Sequence, residues 1–240
     1  MSLHPILATA ARDHYVHIKG VGTDTLAFAR SVGSVFCARD GDDPIVTMTI
    51  EGDDPEKIPY ASCRTAQLSL HTDYATFVRP PRFTISHCIE PDPAWPDGGQ
   101  SITVMMRPLL AAMRAERPQL YRFLRDVPLA FRRNHEHSRY HANVEKWPIL
   151  DGEDRVRFDR TLIEPILVEE GGADADEALS RVREFDEYCE HSPHQVRIAL
   201  AQDEALIIDN HHVLHSRGPC TIQHTEDRTL RREVNLVFLE

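Results

Sequence analysis

The sequence predicts a mainly β protein with helical insertions, an antiparallel sandwich or jelly roll of the cupin-like kind, and three observations predict it. Short runs of β character recur along the chain, turn-rich segments separate them, and only two stretches carry helical periodicity. A chain of 240 residues can bury a substantial core within one all-β unit, so a single domain over 1–240 is expected. Its 41% hydrophobic and 27% charged residues are ordinary for a globular protein and far from the signature of disorder.

The β-like runs are HYVHIKGV near the start, Ile45 to Ile50, Arg82 to Glu90 and Ser101 to Met106. Between them DGDDP, EGDDPEKIP and PDPAWPDGG gather Gly, Pro and Asp, which set turn dihedrals or satisfy turn backbone. From about Arg107 to Asp126 the pattern turns helical. Pro108 suits a first turn, Leu109, Leu110 and Met113 keep helical spacing, and Pro118 divides the stretch in two. A second helix follows near residues 172–192, where Ala178, Val182, Phe185 and Cys189 form one apolar stripe on a charged helix and should face the core. Val196, Ile198 and Leu200 then alternate with polar residues, a turn falls at Asp203-Glu204, and Ala205 to Ile208 reads as an apolar strand. The chain closes on a strand in which Val234, Leu236 and Phe238 alternate.

With 27 basic against 38 acidic residues the formal net charge is -11, and no dense Lys/Arg stripe is present to neutralise a phosphate backbone. Nucleic acid is therefore excluded as an expected partner. No basic segment precedes an apolar run at the N-terminus, and no stretch approaches the roughly 18 apolar residues of a membrane span, so a cytoplasmic protein without a membrane partner is expected. The five cysteines are scattered and never spaced C-x-x-C, which signals neither a disulfide framework nor a thiolate zinc site. Cys220 reads as a packing residue, and Trp95 and Trp147, beside prolines, as loop anchors.

Candidate chemistry centres on QLSLHTDYATF. His71 and Asp73 are two apart, so on an extended segment both side chains leave the same face and could hold one ion. His215, at the end of another expected strand, could be the third ligand. His211 and His212 precede it, but strand alternation cannot turn all three inward. Two imidazoles and one carboxylate on one face of an octahedron leave exchangeable positions, the arrangement diagnostic of non-haem iron(II) oxygenases. Arg228 follows His215 at the approach to the last strand, where its guanidinium could form a two-point pair with a carboxylate bound beside the metal.

Taken together, H-T-D at His71 to Asp73, G-G-x-S at Gly98 to Ser101, D-N-x-x-x-L-H-x-R at Asp209 to Arg217 and R-x-L at Arg228 to Leu230 resemble the taurine dioxygenase and clavaminate synthase-like superfamily of 2-oxoglutarate-dependent dioxygenases. The resemblance runs from about Gln67 to the C-terminus. It implies a double-stranded β-helix, iron(II) on His71, Asp73 and His215, and 2-oxoglutarate as co-substrate with its distal carboxylate on Arg228. Ser101 falls where the family usually has threonine and would keep the hydroxyl for that carboxylate. Gln67 falls where some relatives place an amide near the co-substrate. Arg231 and Arg232 could replace Arg228 if the loop register differs.

The activity so implied couples O2 and 2-oxoglutarate to oxidation of an unactivated C–H bond in a small molecule, with hydroxylation as the default and an amino acid or related metabolite as substrate. Retention of Asp73 disfavours halogenation. Two rivals stand beside it: a cupin-like zinc or manganese hydrolase or isomerase, which has no use for Arg228, and a non-catalytic jelly-roll binding module. The insertion at about 107–150 ends in RRNHEHSRYHANVEKW. Its His135, His137 and His141 read as a solvated loop, and its density of these residues with Arg132, Arg133 and Arg139 suggests a substrate lid. Oligomeric state has no sequence signal.

Overall fold

Two short helices come first. Pro5 at the first helical position and His4, whose Nδ1 accepts from Ile6 N, start α1 (Pro5–Asp13), and His14 ends it in the left-handed region at φ 68°. After β1 (Tyr15–Ile18), Asp24 Oδ1 accepts from Ala27 N and caps α2 (Thr25–Val32). The computed structural model of the chain describes residues 3–37, 42–132, 146–152 and 154–240.

The strands β2 (Val35–Phe36), β3 (Val46–Thr49), β4 (Phe83–Glu90) and β5 (Ser101–Met105) follow. Then come α3 (Met106–Glu116) and α4 (Pro118–Asp126), divided at the proline as the sequence requires. The two-residue strands β6 (Leu129–Ala130), β7 (Lys146–Trp147), β8 (Leu150–Asp151) and β9 (Arg155–Val156) pair as two small hairpin-like ladders. Next are α5 (Arg160–Glu170), α6 (Ala173–Glu190), β10 (Gln195–Ile198), β11 (Ala205–Asp209) and β12 (Val213–Arg217). A hairpin of β13 (Ile222–His224) and β14 (Thr229–Arg231) leads into β15 (Glu233–Leu239).

The strands build the double-stranded β-helix from two antiparallel sheets. The larger runs β1-β11-β4-β15-β2, with β3 also on β15, and the smaller runs β10-β5-β12. Period-two alternation decides what each face does. On the larger sheet Thr84, Ser86, Leu206, Ile208, Val234 and Leu236 line the space between the sheets. Their neighbours Phe83, Ile85, Ala205, Ile207, Val237 and Leu239 point outward and are buried under Leu7, Ala10, Ala29 and Val32 of α1 and α2. Both faces of this sheet are therefore covered.

The smaller sheet behaves likewise. Val104 and Leu214 turn outward into a core made by α3 to α6, in which Ala178, Val182, Phe185 and Cys189 of α6 are all buried. The apolar stripe read from the sequence thus faces the core.

The expectation of only two helical segments is corrected by α1, α2 and α5. The first two are short and bury few residues each, too few to print a periodic pattern. The third carries Pro165 in its interior, a residue that normally ends a helix; Asp159, accepting from Thr161 N, and the buried pair Ile163 and Leu167 hold it. Among the described residues no helix is long and apolar enough to cross a membrane, and the five cysteines are free. The proposed lid residues His135, His137, Arg139, His141 and Arg133 lie outside the described residues.

Ile207 is fully buried at the contact between β11 and the N-terminal helices. Ile207→Ala should cost about 2–5 kcal/mol by urea denaturation with an unchanged slope; a loss below ~1 kcal/mol would show that the helical layer does not pack against the sheet.

Candidate metal centre

The segment carrying His71 is threaded between two other parts of the chain. His71 N donates to His215 O at 3.0 Å and His215 N returns to His71 O at 2.9 Å, an isolated antiparallel bridge against β12. On its other side His71 bridges Asp159, and Thr72 N donates to Phe158 O at 2.8 Å. The backbone then turns, and Asn210 holds the turn: its Oδ1 accepts from Asp73 N at 2.8 Å and its Nδ2 donates to Asp73 O at 3.1 Å. Arg157, stacked over Trp147, donates to the carbonyls of Ala75 and Phe77 and pins the loop beyond. Burial holds this guanidinium down at about 10.

These constraints bring His71, Asp73 and His215 together. The two rings lie 4.4 Å apart between centroids, His215 Nε2 is 3.2 Å from Asp73 Oδ2, and His71 Nε2 is 3.9 Å from Asp73 Oδ1. One donor atom from each residue lies within 4.8 Å of the others. His71 Nδ1 faces Ser69 O at 2.9 Å, so the proton sits there and the Nε2 lone pair is left for an ion. Thr84 Oγ1 donates to Asp73 Oδ2 at 2.6 Å across the cavity and orients the carboxylate. Burial alone would raise the Asp73 carboxyl, but His215, by charge and hydrogen bond, with His71 and Thr84, brings it down to about 2. Burial, then the proximity of His215, holds His71 below the ordinary imidazole value. Two imidazoles and one ionised carboxylate are donors that a divalent metal takes, so the donor set fits one.

A cavity of about 360 Å³ opens beside the triad between the sheets. Ser101 lines it and is buried, whereas Gln67 lines it from an exposed position. Arg228 does not line it. Among the described residues the β13–β14 hairpin pairs only with itself, and Arg228 projects from it, exposed and 3.6 Å from Glu90. The arginine that reaches the cavity is Arg232, only 7% exposed, directly ahead of Val234 and Leu236 in the inward alternation of β15. Gly99, at φ 62°, makes room for it, since a Cβ there would meet Arg232 Cδ at 2.7 Å. Among the described residues the Arg232 side chain has no hydrogen bond or ion pair, and burial lowers its pKa.

Arg217 also lines the cavity, but its Nη atoms are spent on the carbonyls of Gly218, Arg64 and Ala66, leaving only Nε without a partner. Thr103 Oγ1 and Ser216 Oγ are likewise buried and unpartnered at this wall. Sequence reasoning missed Thr84, Thr103 and Asp159; the inward parity of Thr84 on β4 and Thr103 on β5 was the available signal.

Fold and site define a jelly-roll protein with a two-histidine, one-carboxylate metal centre beside a cavity that holds an unpaired arginine. Residues 5–233 match the taurine catabolism dioxygenase TauD, TfdA family, and the chain belongs to that family. It is a 2-oxoglutarate-dependent non-haem iron dioxygenase. Among solved structures it is similar to asparagine oxygenase in complex with Fe(II), a 3-hydroxyasparagine and succinate (16% identity, 97% of this chain and 77% of that one, TM-score 0.69). It is also similar to a taurine dioxygenase from Burkholderia xenovorans (14%, 100% and 83%, TM-score 0.64) and to the non-haem iron oxygenase OrfP in complex with Fe, succinate and a dihydroxyarginine (12%, 98% and 78%, TM-score 0.65). No curated protein sequence matches the chain.

His14, His71, His87 and His211 are all held below the ordinary imidazole value, burial being the largest cause in each and bringing His211 to about 4. The unfolded chain takes up protons near pH 6.5 that the folded one refuses until lower pH, so this stability is complete above about 6.5 and is lost as pH falls towards 4. The urea midpoint of metal-free protein should therefore decline across that window, ahead of the carboxylates, with His211→Gln reducing the decline. A midpoint constant from pH 7 to 4.5 would overturn this account.

Proposed function

We propose that His71, Asp73 and His215 hold the iron, that Arg232 with Ser101 holds the distal carboxylate of 2-oxoglutarate, and that the enzyme hydroxylates a small amino-acid-like molecule. The observation that carries this reading is the buried guanidinium of Arg232, without a protein partner, in the same cavity as the triad. An unpaired buried charge costs several kcal/mol, and a two-point pair with a carboxylate offsets that cost. Arg232 therefore takes the role the sequence resemblance placed on Arg228.

Iron and 2-oxoglutarate, when bound, supply oxidative decarboxylation to succinate and carbon dioxide with O2 as oxidant, coupled to attack on a C–H bond. The chain's own residues do the positioning. Thr84 fixes the Asp73 carboxylate, and the free polar atoms of Thr103 and Ser216 offer further hydrogen bonds to a polar co-substrate. Leu206, Ile208, Val234 and Leu236 give the wall an apolar lining that excludes water. Gln67 stands at the exposed side, where it could contact the outer end of a bound molecule. Family membership sets aside the hydrolase and binding-module alternatives.

On the substrate side Asp159 lines the cavity next to His71, with Thr161 and Tyr60 nearby. A carboxylate there favours a substrate with a cationic or amide group, in keeping with the amino-acid products bound in asparagine oxygenase and OrfP. Succinate release screened across basic and amide amino acids and across sulfonates tests this. The first group should be used and Asp159→Asn should raise its KM, whereas turnover of sulfonates alone would refute the substrate class.

The co-substrate reading is tested by anaerobic titration with iron(II) and then 2-oxoglutarate, following the weak visible band of keto-acid chelation. Asp73→Ala should abolish the band. Arg232→Ala should weaken 2-oxoglutarate binding by at least about thirty-fold, the ~2 kcal/mol lower end for stranding a buried charge partner, and Arg228→Ala should leave it within about threefold. The reverse ranking would return the role to Arg228.

A further inference from the structure

A second group of metal-type donors lies outside the iron site. His14, Asp209 and His212 each offer one donor atom, and these lie within 4.8 Å of one another. The three come from the end of α1, the end of β11 and the turn before β12, and Asp209 N donates to His14 O at 2.9 Å to join the first two. His14 is 4% exposed and Asp209 is fully buried. The rings of His14 and His212 stack at 5.2 Å and 24°.

The hydrogen-bonding of this cluster is incomplete. His14 Nδ1 and His212 Nδ1 are both buried without a hydrogen-bond partner. His212 Nδ1 nevertheless stands 3.1 Å from Asp209 Oδ1 without hydrogen-bond geometry, and its other nitrogen, Nε2, lies 3.3 Å from Asp154 Oδ1. Asp154 therefore favours the proton on Nε2, which turns the Nδ1 lone pair towards the lone pairs of Asp209. A proton or a metal cation between Nδ1 and Oδ1 would relieve that contact, and the buried, unpartnered Nδ1 of His14 in the same group is a polar atom that a proton on His212 leaves unsatisfied. Asp209 Oδ1 also accepts from His211 N at 3.3 Å, Arg82 donates to Asp209 Oδ2 at 3.2 Å, and Arg107 Nε donates to Asp154 Oδ2 at 2.9 Å.

We propose that His14, Asp209 and His212 form a second divalent-metal site, structural in role and suited to zinc, with Asp154 as the carboxylate that orients His212. Two imidazoles and one carboxylate are zinc donors, and a carboxylate behind a ligating histidine is a common orienting partner. His14 and Asp209 are buried and the His212 side chain is 18% exposed, so the cluster is largely enclosed, as a structural site is. Zinc–nitrogen bonds of about 2.0–2.1 Å set donors roughly 3.3 Å apart in a tetrahedron, close to the 3.1 Å between His212 Nδ1 and Asp209 Oδ1. Asn210, next to Asp209, holds both sides of the Asp73 peptide, so the ion would brace the turn that positions an iron ligand.

Elemental analysis and thermal melts with zinc, in a chain whose iron site is removed by His71→Ala with His215→Ala, test the proposal. That variant should bind one equivalent of zinc and melt at higher temperature with it. Adding His14→Gln should abolish both effects, and adding Asp154→Asn instead, which removes no ligand, should weaken zinc binding about ten- to a hundredfold. In the otherwise native chain His14→Gln should still bind one equivalent of iron(II), which shows that it folds and leaves the reading of the first site intact. A folded iron-site variant that takes up no zinc, or uptake unchanged by both His14→Gln and Asp154→Asn, overturns the second site.

Discussion

Two backbone hydrogen bonds, His71 N to His215 O and His215 N to His71 O, join the segment that follows the first loops of the chain to a strand near its end. Everything at the centre depends on that bridge. It sets the two imidazoles side by side, adds the His71 segment to the edge of the smaller sheet, and carries Phe158 and Asp159 on its far side. Asp73, two residues on, crosses towards the larger sheet, where Thr84 meets it. The triad is thus shared between the sheets, and an ion bound there would tie them together as well as serve chemistry.

The cavity beside the bridge is an expensive place in the fold. Thr103 Oγ1, Ser216 Oγ and Arg217 Nε are buried without partners, and each such group costs about 1–3 kcal/mol. Arg232 adds a buried charge. The offset comes from the outward faces: β4, β11 and β15 bury a second row of apolar side chains under α1 and α2, and the smaller sheet does the same under α3 to α6. The helices are what allow an interior this polar to persist, which is why the larger sheet is sealed on its outer side instead of facing water.

The strands were legible because alternation is a strong signal when one face must be buried, as in β4 and β15, and α6 was legible because its four-residue stripe runs over twelve positions. The His71, Asp73 and His215 set could be picked out because a spacing of two has one geometric meaning on an extended segment. α1, α2 and α5 were not legible: each buries only two or three side chains, and α5 contains a proline whose local cost is met by tertiary packing. Arg228 fits the R-x-L pattern better than Arg232, but among the described residues that pattern falls on a hairpin that pairs only with itself, and Arg228 projects from it, exposed, beside Glu90.

That hairpin decouples sequence distance from spatial distance. His215 is fixed by its pairing with Thr103 on β5, and Arg232 by its place immediately ahead of β15, where its carbonyl accepts from Ile50 N. Residues could be gained or lost between Ile222 and Arg231 without shifting either side chain. On the role proposed for Arg232, a pattern with a set interval after the histidine would discard relatives whose hairpin differs in length, whereas one anchored on the last strand and read backwards would keep them.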